Sequence, residues 1–147
     1  MFSKSCEYAI KIMIHLTARA GEGRAGLFEI SKAIDSPRAF TAKVLQMLTN
    51  AGLLDSARGP GGGYRIIDQK EVNLHQIVEA VDGDGLMVGC VLGFKECSDD
   101  YPCPVHHRFL PVREYLSGTL STTSLKEMNE VISHGRAFLK EANKNKG

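Results

Sequence analysis

Ser56–Ala57–Arg58–Gly59–Pro60–Gly61–Gly62–Gly63–Tyr64 packs four glycines, a proline and one arginine into nine residues. Neither a helix nor a regular strand tolerates that composition. Leu53–Leu54 precedes it and Ile66–Ile67 follows, so the stretch reads as a hairpin whose tip is bare backbone carrying a lone cation. A phosphate-cradling nucleotide loop would require a closing Gly-Lys-Ser/Thr, and none follows. Two readings stay open: a finger that reaches a polyanion through Arg58, or a plain flexible turn.

The segment leading into the hairpin favours the first. From about Ser5 to Ala20 the periodicity is helical, with Cys6, Ile10, Met13, Ile14 and Thr17 on one face and Ala9, Ile12, Leu16 and Ala20 on another. A helix apolar on two sides must bury both, so the second face calls for a partner helix or a second subunit. Leu27, Ile30 and Ile34 mark a short helix. Asp35–Ser36–Pro37 then restarts the chain, with Ser36 as N-cap and Pro37 at the first helical position. The following helix turns Phe40, Val44, Leu48 and Ala51 inward. Ala39, Lys43, Gln46 and Asn50 face outward, with Arg38 and Thr41 beside them. Two short helices, a tight turn and then a glycine-tipped hairpin have the winged helix-turn-helix layout. Arg38, Thr41, Lys43, Gln46, Arg58, Gly59 and Gly61 are the candidate contacts to double-stranded DNA.

Charge is distributed to match. The 147 residues carry 18 Lys+Arg and 17 Asp+Glu, but residues 1–70 hold ten basic and six acidic side chains and residues 71–147 eight and eleven. A basic front half suits a polyanion and a different module follows it. No apolar run has the length of a membrane span, and Glu7, Lys11 and His15 interrupt what would be a signal sequence. A cytoplasmic location is expected, where thiols serve as metal ligands or redox groups more often than as disulfides.

Asn73 caps a further helix bearing Leu74, Ile77, Val78 and Val81, ended by Asp82–Gly83–Asp84–Gly85. Cys90, Cys97, Cys103 and His106 then follow as C-x6-C-x5-C-x2-H in an irregular loop. Three soft donors and an imidazole suit zinc or an iron–sulfur cluster and exclude calcium and magnesium. The spacing matches neither the paired C-x2-C zinc frameworks nor ferredoxin runs, so it does not choose the metal; a C-x-x-C redox pair is absent. Three unrelated buried thiols are the bland alternative, and Cys6, on an apolar helix face, reads as core. Val105, Phe109, Val112 and Leu116 form a seam that can pack along another helix, with Pro111 expected to kink or split it. Ser121–Thr122–Thr123–Ser124 caps a last helix containing Leu125, Met128, Ile132 and Leu139. No nucleophile–base–acid set has useful spacing, so an enzyme is not expected.

With wing and thiol loop together, the sequence resembles the Rrf2 family of bacterial winged-helix transcription regulators. The resemblance runs through Cys6–Glu7–Tyr8–Ala9, Val44–Leu45–Gln46–Met47–Leu48, Ala51–Gly52–Leu53 and Arg58–Gly59–Pro60–Gly61–Gly62–Gly63–Tyr64. It implies a mainly α fold with a small β-hairpin: a winged helix-turn-helix domain over 1–82, a cluster-binding loop over 83–104, and a dimerisation helix with a C-terminal helix over 105–147. It also implies a homodimer held by that long helix and the first one. Cys90, Cys97 and Cys103 fall on the family's cluster ligands, implying a two-iron or, as the less favoured form, a four-iron cluster. His106 matches the fourth ligand of members that regulate cluster assembly; Glu7 stands where nitric-oxide-sensing repressors carry an acidic ligand, and its ordinary reading is an ion pair with Lys11. The expected function is operator binding set by iron supply, redox state or nitric oxide. The alternative is a winged-helix protein with a structural zinc or a thiol switch.

Overall fold

The computed structural model of the protein describes residues 1–67 and 71–142. Seven helices and one hairpin follow in the order α1 (Lys4–Ala18), α2 (Leu27–Ala33), α3 (Arg38–Asn50), β1 (Leu54–Ala57), β2 (Gly63–Ile66), α4 (Leu74–Asp82), α5 (Gly85–Val88), α6 (His106–Thr122) and α7 (Leu125–Ser133).

Helix α1 is the centre. Ser3 caps it by accepting from the Cys6 amide, and Cys6, Ala9, Ile12, Met13, Ile14 and Leu16 are all buried. Helices α2, α3, α4 and α7 and strand β2 pack around it. Both apolar faces are thus covered within one chain, and a helix of the same chain supplies the partner that the second face called for. The reason lies in α7: capped by Ser124, it lays Leu125, Met128 and Ile132 against the main core. The last helix therefore packs on the same core as α1 to α4. It is also shorter than its apolar pattern suggests. Gly135, at φ 69°, ends it, and Leu139 reaches the core from beyond the helix. Each fully buried aliphatic side chain of this core stabilises by about 1.5–3 kcal/mol.

The α2–turn–α3 unit forms as expected, with one register change. Pro37, at ψ 136°, is itself the cap residue and α3 begins at Arg38. The Ser36 hydroxyl is bonded to the Thr41 hydroxyl instead of capping an amide, and Thr41 also donates to the Pro37 carbonyl at 2.8 Å. Thr41 is completely buried. Its placement among outward-facing groups is therefore corrected: the tight Pro37 entry rotates it under the turn.

The hairpin pairs Leu54 with Ile66 and Ala57 with Gly63, antiparallel. Its base is anchored twice. Tyr64 exchanges two backbone hydrogen bonds with Ala25, at 2.8 and 2.9 Å, and Asp55 accepts from Arg24 at 2.5 Å and from Arg65 at 2.9 Å. The bond from Arg65, with Arg24 adding its charge, holds the Asp55 carboxyl below its ordinary 3.8. A depressed carboxyl pKa contributes stability above 3.8, lost only as pH falls through the lower folded value, so the anchor is intact at neutral pH. Gly63 sits at φ 124°, and a Cβ there would stand 2.4 Å from the Ala25 carbonyl oxygen.

Helix α4 carries a full capping box between Asn73 and Gln76. Its start is pinned to that of α7 by the bonds Leu74 N–H to Thr123 O (3.0 Å) and Leu125 N–H to Val72 O (2.9 Å). Pro111 does not split α6, which runs unbroken for 17 residues, roughly 25 Å. Short α5, not foreseen from the pattern, packs on α6; Cys6, Val78, Met87 and Leu120 form a second small core there.

Gly63→Ala is expected to lower stability by about 1–3 kcal/mol through the positive φ and the Ala25 contact. Urea denaturation reads the stability, and hydrogen exchange at Tyr64 and Ala25 reads the loosened wing base.

Candidate nucleic-acid interface and cluster site

On α3, Arg38, Lys43 and Gln46 are exposed. Arg38 lies over the Phe28 ring at 5.3 Å, and Gln46 donates to Asn50 at 2.8 Å, so both side chains are held in place at the helix surface. At the hairpin tip Arg58, Gly59 and Gly61 are exposed, with φ of 80° at Gly59 and 72° at Gly61 closing the turn. Arg58 has no hydrogen-bond or ion-pair partner among the described residues. A recognition helix with unspent donors beside a free cation on bare backbone can contact base edges and phosphates. Glycine 62 completes the tip, because a Cβ there would lie 2.5 Å from the Ala57 carbonyl oxygen.

The four loop donors come together as two pairs. Cys97 Sγ lies 3.2 Å from His106 Nδ1, while Cys103 stands close enough to Cys90 to act on its thiol. The Phe94 amide, working against burial and helped by Leu92, Cys103 and Gly93, holds the Cys90 thiol below its ordinary value. A coil of amides aimed at one sulfur is an environment made for a thiolate. Cys103 and His106 are 7% and 4% exposed, so one member of each pair is buried. His106 opens α6, and its Nε2 is 2.8 Å from the Asp99 carboxylate, which leaves Nδ1 as the nitrogen on the sulfur side. No three of the four lie within 4.8 Å of one another; among the described residues the one such trio is Asp99, His106 and His107.

Soft sulfur ligands and an imidazole are the right chemistry for an iron–sulfur cluster or a zinc ion. Glu7 is exposed and pairs with Lys4 at 3.3 Å, not with Lys11, whose ammonium lies over the Tyr8 ring. Cys6 is core, as expected. Burial first, then the Asp82 carboxylate, pushes its thiol up to about 12, and such a thiol is inert at neutral pH.

Two participants escaped the sequence reading. Asp99 orients His106, and Arg113 Nη2 donates to Cys97 Sγ at 2.8 Å. The helical period counted from His106 would have flagged Arg113, seven residues on along one face; nothing in the loop's irregular sequence marks Asp99.

The fold and the exposed helix and wing define a winged helix-turn-helix DNA-binding regulator. Residues 2–130 match the Rrf2 family, described as iron-dependent transcriptional regulator, and the chain belongs to that family. A regulator named IscR from Aliivibrio salmonicida is 30% identical over 128 residues, 84% of this chain and 76% of that one. One of the same name from Photorhabdus laumondii is 29% identical, over 82% and 74%. Among solved structures, CymR, the global cysteine regulator of B. subtilis, superposes with a TM-score of 0.72 at 24% identity, covering 88% of this chain and 96% of that one. The IscR of T. potens superposes with a TM-score of 0.72 at 17% identity, over 94% and 92%. These relatives are transcription regulators, not enzymes. No described helix is long and apolar enough to cross a membrane.

Thr41→Val is expected to destabilise folding by about 0.5–1.5 kcal/mol, as one buried hydroxyl bond is lost, and to leave DNA affinity unchanged. Chemical denaturation and duplex titration of the same variant check both halves.

Proposed function

We propose that the protein is a homodimeric, cytoplasmic regulator whose operator affinity is set by an iron–sulfur cluster held by Cys90, Cys97, Cys103 and His106, with a two-iron cluster the better fit. The observation that carries this reading is the arrangement of the four donors as two pairs at the start of α6. Cys90 and Cys103 would hold one side, and Cys97 and His106 the other, with Glu7 left to its surface ion pair. A cluster held there supplies a redox-active centre whose assembly, oxidation or nitrosylation changes the charge and shape that the loop must match.

The dimer is supported by α6 itself. Over 17 residues it buries only His106 and Leu120, while Phe109, Val112 and Tyr115 are 40%, 59% and 81% exposed. Val88 and Phe94 add to the same apolar surroundings of the loop. A helix so poorly covered by its own chain needs a second copy, and of the expected Val105–Phe109–Val112–Leu116 seam Phe109 and Val112 are what it offers, while Leu116 packs on the chain's own second core. Two copies joined there carry two α3 helices into successive major grooves of a roughly palindromic operator, with Arg38, Lys43 and Gln46 at base edges and phosphates and Arg58 in the flanking minor groove. The loop connects α5 to α6, so a change in it alters how each DNA-binding unit is carried by the dimer helix. A coupling of about 1–3 kcal/mol suffices for a switch.

A second reading, a cluster-free thiol switch, is favoured by the closeness of the Cys90 and Cys103 thiols. The spectrum of anaerobically purified protein separates the two. Visible absorption that disappears in Cys97→Ala supports the cluster; colourless protein after reconstitution with iron and sulfide, with a two-proton mass loss on mild oxidation, supports the switch.

Lys43→Ala and Arg58→Ala should each weaken binding to a duplex selected from a random pool. Each should also reduce the salt slope by about 1 per lost phosphate contact. Melting temperatures should stay unchanged, and unaltered affinity at physiological salt would reject the assignments.

A further inference from the structure

Arg113 has an environment that DNA binding does not explain. It lies midway along α6, half-buried, and lines a cavity of ≈ 390 Å³ with Met87, Val88, Cys97, Leu110 and Ser117. Its guanidinium spans two separate parts of the loop: Nη1 donates to the Gly89 carbonyl at 2.6 Å and Nη2 to Cys97 Sγ at 2.8 Å. The remaining nitrogen, Nε, is buried with no hydrogen-bond partner among the described residues. No carboxylate pairs with Arg113 among the described residues, although Glu114 lines the same cavity. Burying a cation against one carbonyl and one sulfur is costly unless the sulfur carries charge.

We infer that Arg113 is the positioning residue of the cluster site, a fork that clamps the loop's entry at Gly89 and its second sulfur, Cys97, onto the dimer helix and supplies the cation that balances the cluster's charge. The inference rests on the cluster reading proposed above. Three thiolates and a neutral imidazole around an oxidised two-iron, two-sulfide centre carry a net charge of about −1, and one added electron makes it about −2. A guanidinium hydrogen-bonded to a ligand sulfur favours the more negative state and so raises the reduction potential. A lysine at 113 would keep the charge, but one ammonium on a flexible stem lacks the planar fork that spans both acceptors.

The test uses the full chain as wild type, Arg113→Met and Arg113→Lys, each reconstituted anaerobically with iron and sulfide and titrated for its midpoint potential. Hydrogen exchange is followed separately in the cluster-free proteins. Arg113→Met is expected to move the midpoint to more negative potential and to speed exchange across residues 85–98 several-fold, with α3 and the wing unaffected. Arg113→Lys is expected to keep the midpoint near wild type while exchange still rises, which separates charge from clamp. A midpoint in Arg113→Met equal to wild type overturns the inference. If wild type takes up no iron and sulfide, the cluster reading fails instead. Loop exchange in cluster-free Arg113→Met then decides the clamp alone, and unchanged exchange overturns it.

Discussion

Everything in this molecule is arranged around the burial of α1 from both sides. Ile12 and Met13 sit in the main core with the helix-turn-helix, while Cys6, one turn from the N-terminus, belongs to the second core with Val78, Met87 and Leu120. The Ser3 amide donates to the Asp82 carboxylate at 2.9 Å and ties the start of α1 to the end of α4. One helix thus joins the DNA-facing unit to the base of α6. Interiors this closely packed transmit displacement rather than absorb it.

The cysteine loop and α6 are built on the opposite principle. Helix α6 is well formed but thinly covered, and the loop before it is held by individual polar bonds rather than by a core. His106 has Asp99 on one nitrogen and Cys97 on the other, Cys90 gathers backbone amides, and Arg113 bridges loop and helix. Segments held this way open at lower free energy than packed ones. It contrasts with the wing, whose strands are fastened by Asp55 and by the Ala25–Tyr64 backbone pair.

Much of this was legible beforehand where local chemistry dominates. Glycine at 59, 61, 62 and 63 announces a turn because only glycine meets those backbone angles and close approaches; the inward row Val44 and Leu48 announces α3; Asn73 and Ser124 announce helix starts. Thr41 was misplaced because helical spacing gives only an angle around the axis, and the entry at Pro37 turned that angle under the domain. The partner of α1's second face was left open between a helix and a second subunit for a related reason. An apolar face declares that it must be covered, and its pattern is the same whether α7 or another molecule covers it.

By itself, then, the chain's sequence determined the winged helix-turn-helix, the glycine-tipped finger and the chemical identity of the loop's donors, all set by backbone sterics, capping and ligand softness over a few residues. Only the tertiary structure decided how Cys90, Cys97, Cys103 and His106 are arranged, that Asp99 and Arg113 join them, and that α7 packs over α1. Those outcomes depend on contacts between residues distant in sequence. Their geometry is settled by packing of the whole chain, and no local pattern encodes it.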